Sequence, residues 1–400
     1  MHMPITYYEI LKDKNKELFE LVSLAKKTIV KNNEVVQPVH SADKPLKEFI
    51  NYEEKELYSF LKVVSQNSGI PIESMINEIR TNSDTQNILN IIIENATLEF
   101  FSVLNFELFG KKTFFFRDNL IDNLLNTEIN LPAKEIHLPF DSCQLVFTNR
   151  NLIDAFYSLH KKNENEELNI DYKSPIYVFV TIYQKTRNDV LNRCGRELEL
   201  TCLHGNYSQV YMVQKRRLFL DDTWELEETL KTDWEYLASK KLDRGLVANI
   251  NQLDNISPAV DSIFYEDGLI FFRAVLNSVL YISSENPDSV TVNKSSITQK
   301  TKKKKIKNQT LEQKRNNSSE LSYQDVGSSI QPIIIDKSMQ DKFSNFNSST
   351  QKKILRRFMV RGHWRKQRVG EGLKDFKRIW IKPYLKGQDF AEAINKPYLV

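Results

Sequence analysis

The chain has 400 residues, 40% hydrophobic and 27% charged, which is ordinary for a folded protein and enough for one large domain or two modest ones. Its formal charge of +4 is unevenly spread: residues 300–400 hold 24 Lys+Arg against 9 Asp+Glu, a net +15, whereas residues 1–299 hold 32 against 43, a net −11. No run approaches the roughly 18 apolar residues that span a bilayer, the opening Met-His-Met-Pro leads into no signal-type apolar core, and Cys143, Cys194 and Cys202 are an odd, unclustered set. The sequence therefore predicts a cytoplasmic protein with reduced thiols, and excludes membrane-spanning and disulfide-framework classes.

From Tyr7 to about Gly110 the apolar residues recur at helical spacing. Leu18, Leu21, Val22 and Ala25 share one face, as do Leu57, Phe60, Leu61 and Val64, which predicts three or four helices. Asp84 fits an N-cap for the apolar stretch through Leu104, and Gly110 a stop. Next come short β-branched or aromatic runs at Cys143–Thr148, Ile176–Tyr183, Glu197–Leu203, Val210–Val213 and Leu218–Leu220, read as a mainly antiparallel sheet. Asp222, three residues before Glu225, fits the cap of a helix through about Lys240. A further helix is expected from about Asp267 to Ser283 with a broad apolar face.

Residues 289–350 are rich in Ser, Asn, Gln and Lys and read as a flexible basic linker, with Tyr323–Ile335 the one stretch able to dock as a strand. The fold class expected is α+β: an acidic body over 1–288 with N-terminal helices, a central sheet and further helices, then the linker, then a small basic β-hairpin module over 351–400.

From Lys352 to Gly387 the module carries 13 Lys+Arg against Glu371 and Asp375, a net +11 in 36 residues. Two β-like runs, Phe358–Trp364 and Arg378–Tyr384, flank Gly370 and Gly372, the pattern of a hairpin. Alternation puts Arg378, Trp380 and Lys382 on one face and Ile379 and Ile381 on the other. Cations release counterions from a polyanion, and exposed aromatics stack on unpaired bases. The candidate nucleic-acid or partner contacts are therefore Arg356, Arg357, Arg361, His363, Trp364, Arg365, Arg378, Trp380, Lys382 and Tyr384. Trp364 and Trp380 either stack on bases or pack the hairpin against the body. His363 is a general acid/base, a hydrogen-bond donor to phosphate or a structural residue; catalysis would need a second group, and the module offers only Glu371 and Asp375.

Arg361-Gly362-His363-Trp364, followed by Gly370, Gly372, Arg378 and Pro383, resembles the C-terminal signature of the type V-A anti-CRISPR family whose large inhibitor is associated with loss of the CRISPR nuclease at its synthesis. The apolar helix closing on Leu280 to Asp288, with its Pro-Asp pair, and Leu138-Pro139 ahead of Cys143 are similar in the same order. The resemblance implies a non-enzymatic inhibitor made by a phage, plasmid or other mobile element. Its partners would be a CRISPR nuclease, including its emerging chain, and RNA or the ribosome. The alternative is a general single-stranded nucleic-acid-binding regulator of a mobile element.

Other chemistry is weakly represented. Cys194, Cys202 and His204 fit no common zinc spacing, and Asp221-Asp222 is accounted for in part by capping. The chain has no phosphate-binding Gly-rich loop, dinucleotide fingerprint, His-Glu-x-x-His or Gly-x-Ser-x-Gly. No metal, cofactor, membrane or small-molecule substrate is expected, and no enzyme activity.

Overall fold

A computed structural model describes residues 5–32, 36–40, 46–81, 83–158, 170–188, 193–206, 210–221, 223–231, 245–246, 262–292, 322–330, 356–386 and 392–393. Among these residues five helices precede the first strand: α1 (Tyr7–Lys14), α2 (Lys16–Asn32), α3 (Lys47–Ser68), α4 (Ile72–Thr81) and α5 (Ser83–Leu108). The sequence reading allowed three or four. Thr6 opens α1 with a capping box, its hydroxyl accepting from Glu9 N while the Glu9 carboxylate accepts from Thr6 N. Asp84 lies inside the first turn of α5 and not ahead of it. Gly110, at φ 85°, supplies the left-handed residue that turns the chain after α5.

The chain then alternates strand and helix: β1 (Lys112–Phe116), α6 (Asp118–Leu125), β2 (Thr127–Glu128), β3 (Ser142–Phe147) and α7 (Arg150–Ser158). There follow β4 (Ile176–Asn188), β5 (Arg193–Gly205), β6 (Val210–Leu220), β7 (Gly245–Leu246), α8 (Ser262–Ile282), β8 (Ser289–Val292) and β9 (Ser322–Val326). The expected runs at Val210–Val213 and Leu218–Leu220 are one strand. The expected helix after Asp222 is described over 226–231; Asp222 itself and the stretch beyond lie outside the described residues. β1, α6 and α7 were not anticipated, because each is too short to establish a period.

Among the described residues eight strands form one mixed sheet in the order β7-β6-β5-β4-β3-β1-β9-β8. β3 to β7 run antiparallel in sequence, as do β8 and β9, while β1 is parallel to both β3 and β9. Both faces are covered, and alternate residues of one strand enter different cores. Phe114, Phe116, Leu145, Phe147, Val178 and Val180 pack with α6, α7 and α8. Phe115, Val146, Tyr177 and Phe179 pack with α1, α2 and α5 on the other side. Burial on both faces explains why runs such as Phe114-Phe115-Phe116 are continuously apolar.

Two strands lie within the stretch read as a linker. Ser289–Val292 is β8, which was not expected, and Ser322–Val326, at the start of the segment read as able to dock as a strand, is β9, inserted between β1 and β8. β9 carries few apolar residues; Tyr323 and Val326 are buried, and Asp325 takes two parallel hydrogen bonds from the Arg117 guanidinium, the Nε bond at 2.5 Å. Its place comes from pairing with β1, which a local hydrophobic pattern does not encode. Residues 293–321 and 331–355 lie outside the described residues. Among the described residues no helix is long and apolar enough to cross a membrane.

Glu107 in α5 ties the helical layer together, accepting from the Tyr8 hydroxyl and pairing with Lys26 at 3.0 Å and Lys111 at 3.4 Å. Burial alone would raise its carboxyl. The Tyr8 hydroxyl and the two ammonium groups more than offset that and hold it below the usual carboxylate range. A carboxyl depressed by folding contributes stability above its unfolded pKa, about 4.3 for Glu, and that contribution disappears as pH falls through the folded value. Melting temperatures measured from neutral pH down into the acid range should therefore fall more steeply for the natural chain than for Glu107→Gln, which lacks the titrating group. Identical acid limbs would contradict this.

Candidate partner interface on the C-terminal hairpin

Among the described residues the predicted module forms five short strands. β10 (Arg356–Val360) pairs antiparallel with β13 (Tyr384–Lys386) and parallel with β14 (Glu392–Ala393). β11 (Gly362–Val369) and β12 (Asp375–Ile381) form the hairpin, and β2 of the body joins β11 in parallel as the third strand of that small sheet. The expected run Phe358–Trp364 is thus two strands broken at Arg361. Gly370 and Gly372, at φ 79° and 67°, lie in the connection between β11 and β12.

The hairpin is fixed to the body through its indoles. Trp364 is 4% exposed, and its Nε1 donates to Asn277 Oδ1 at 2.8 Å. Asn277, fully buried on α8, uses its own amide group to donate to Leu124 O at 3.1 Å and Thr127 O at 2.9 Å. Trp380, opposite Trp364 in the hairpin, donates to Thr127 Oγ1 at 3.2 Å and packs edge-on against Tyr281, the ring centroids 5.3 Å apart. Gly362 approaches so closely that an added Cβ would lie 2.4 Å from Thr127 Oγ1 and 2.8 Å from Pro383 Cδ. The motif glycine is therefore required by contact and not by its backbone angle.

Arg378 belongs to the same inward face. Its guanidinium donates to Glu135 O at 2.7 Å and Ser283 O at 3.4 Å and lies 5.7 Å from the Trp364 ring centroid. Burial lowers its pKa from the ordinary arginine range, with Glu135 acting in the opposite sense. The face read as cationic and aromatic, carrying Trp364, Arg378 and Trp380, is thus turned into the molecule. Of the two readings open for Trp364 and Trp380, the structure has them packing the hairpin against the body, and Arg378 docks beside them. The two indole nitrogens and the terminal guanidinium nitrogens find partners on α8, β2, the Glu135 loop and Ser283, whereas Arg378 Nε is buried without one.

The other predicted residues are distributed around this anchor. Arg361 lies between β10 and β11, 3.7 Å from Glu128. His363 is half-buried, opposite Ile381 on one side and Glu128 on the other. Arg365 is exposed and donates to Gln367, and Lys382 and Tyr384 are exposed. Arg356 and Arg357 stand opposite Glu392 and Ala393 in the β10–β14 pair. Sequence reasoning missed Asn277 and Thr127. The signal for Asn277 was available: an amide within the apolar run Val275-Leu276-Asn277-Ser278-Val279 calls for buried hydrogen-bond partners.

The acidic body supplies counter-charges to the basic module. Lys366 pairs with Glu135 at 3.4 Å and Lys377 with Glu285, in addition to Arg361 with Glu128. All are surface pairs worth about 0–1 kcal/mol each. Arg365, Arg368, Lys374 and Lys382 have no carboxylate partner among the described residues.

The residues considered for metal chemistry are otherwise engaged. His204 is buried; Tyr157 OH donates to its Nδ1 at 2.7 Å and its Nε2 donates to Ser174 O at 3.1 Å. Burial lowers its pKa, favouring this neutral form. Cys202 is buried with its thiol pKa raised. The side chain of Cys194 lies outside what the structure describes. Asp221 caps locally, accepting from Thr223 N at 2.8 Å. His40, Glu197 and Glu199 converge, but Glu199 already holds Lys215 at 2.9 Å and Arg217 at 3.0 Å, which makes the cluster an ion-pair network.

The sequence model of the anti-CRISPR type V subtype A2 family, AcrVA2-like, matches residues 114–387, from the middle of β1 to just past β13. The crystal structure of AcrVA2 aligns over 95% of this chain and 99% of its own length, at 10% identity and a TM-score of 0.42. No curated protein matches the sequence.

The Trp364–Asn277 pair makes a stability prediction. Trp364→Ala removes a buried indole and should cost about 3–5 kcal/mol. Asn277→Ala strands one buried N–H and two carbonyls and should cost about 2–4 kcal/mol. Because the two side chains share one hydrogen bond, the double variant should lose less than the sum, measured by urea unfolding in a double-mutant cycle. Strict additivity would show that the contact does not hold the hairpin.

Proposed function

The chain belongs to the anti-CRISPR type V subtype A2 family, and from that premise we propose that it is a non-enzymatic inhibitor of a type V-A CRISPR nuclease that acts on the nuclease's synthesis. The observation that carries the reading is the family match itself, which takes in most of the large sheet, α8 and the docked basic hairpin. In this reading the acidic body meets the nuclease chain, including as it emerges during synthesis. The basic module meets RNA or the translating ribosome. The cations Arg365 and Lys382 and the exposed Tyr384 support the second contact, since they remain available after the hairpin has docked. The protein would be carried by a phage or plasmid and act in the host cytoplasm.

Co-expression tests this. Nuclease protein should fall when its gene is translated in the presence of the inhibitor, whereas purified, assembled nuclease mixed with purified inhibitor should cleave at its normal rate. Direct inhibition of the purified enzyme would overturn action at synthesis and leave an inhibitor of the finished complex. Equal suppression of unrelated reporters would favour a general regulator that binds single-stranded nucleic acid.

A further inference from the structure

The inward face of the hairpin does not end where the body ends. Register places Trp364 opposite Trp380, Lys366 opposite Arg378 and Arg368 opposite Phe376, so these six share one face. The first pairs rest on α8, β2 and the Glu135 loop. The last pair projects beyond them: Arg368 is exposed, Phe376 is 53% exposed, and Leu373 in the adjoining connection is 56% exposed. Lys366 Nζ and Arg368 Cζ lie 5.2 Å and 5.3 Å from the Phe376 ring centroid. An aromatic left in solvent between two cations has no role in the core, and Phe376 belongs to neither hydrophobic cluster.

We infer that this distal half of the β11–β12 hairpin binds single-stranded polynucleotide, Lys366 and Arg368 taking phosphates and Phe376 taking one unpaired base. The inference deepens, and rests on, the reading that the basic module meets RNA. Three features favour a polynucleotide over an acidic peptide. The cations flank a flat apolar ring, which matches alternating phosphate and base. The ring is accessible to an unpaired base but not to one inside a duplex. Finally, the neighbouring Arg365 and Lys374 extend the charge along the hairpin without a carboxylate partner among the described residues. Lys366 reaches Glu135 only through a surface pair with its own side chain 54% exposed, so it can exchange that carboxylate for a phosphate. When a base takes the Phe376 ring, the displaced cation moves to the adjoining phosphate.

Fluorescence anisotropy of the full chain with labelled oligonucleotides of one length, as single-stranded RNA, single-stranded DNA and duplex, measures this across a salt series. Both single strands should bind more tightly than the duplex, and a preference between them identifies the sugar read. Lys366→Ala with Arg368→Ala should lower the salt slope by about 1.4, since each phosphate contact on a single strand contributes about 0.7. Phe376→Ala should weaken single-strand binding by about tenfold and leave the slope unchanged. All three side chains are exposed, and unchanged tryptophan emission would show the indoles still docked. Variants that bind like the natural chain overturn the assignment of the tip, as does equal affinity for duplex. The same variants in the co-expression assay separate the two readings. If the natural chain binds no polynucleotide at low salt, yet tip variants lose suppression of the nuclease, the tip meets a protein and this inference fails while the proposed function stands. Tip-dependent binding without any effect on nuclease synthesis would do the reverse.

Discussion

A single buried amide organises the C-terminal half of the molecule. Asn277 sits in the middle of α8, where the surrounding residues are apolar and no solvent is available, so its polar atoms must be satisfied by the protein. The two N–H groups close the end of α6 and β2, by bonding Leu124 O and Thr127 O, and the remaining oxygen receives the Trp364 indole. An element of the body and an element nearly ninety residues away are thereby held by one side chain. Leucine at this position would leave the Trp364 N–H buried without an acceptor, so the requirement runs in both directions.

From that anchor the rest of the hairpin follows. Thr127, held by Asn277 through its carbonyl, offers its hydroxyl to Trp380 and its backbone to β11, so β2 is both a strand partner and a polar socket. Gly362 is small because β11 must come down onto Thr127 and Pro383. The Arg361-Gly362-His363-Trp364 motif thus has a largely architectural content: the glycine permits contact and the tryptophan fixes it. The exposed cations Arg365, Lys366 and Arg368 lie outside the motif.

The division into an acidic body and a basic tail also changes meaning in three dimensions. Glu128, Glu135 and Glu285 meet cations of the module, so part of the opposing charge is matched inside the molecule. Docking leaves Arg365, Arg368, Lys374 and Lys382 exposed. The module docks on α8 and β2, whereas the far face of the large sheet carries α1, α2 and α5, packed on Phe115, Tyr177 and Phe179. Those helices lie outside the span matched by the family.

Much of this was legible in the sequence. Period-3.6 stripes gave the N-terminal helices and α8, β-branched runs gave β3 to β6, and paired glycines between cationic runs gave the hairpin, because these signals depend on residues within a few positions of one another. Charge partition indicated a polyanion contact, and the family was indicated by resemblance of the C-terminal motif. Which face of the hairpin is buried was not legible: alternation separates Trp364, Arg378 and Trp380 from Ile379 and Ile381, but only a groove with Asn277, Thr127 and Tyr281 decides that the cationic, aromatic face turns inward. The place of β9 was likewise settled only by β1 and Arg117, more than two hundred residues away. Local sequence sets which residues share a face; the complementary surface, assembled from distant segments, sets where that face goes.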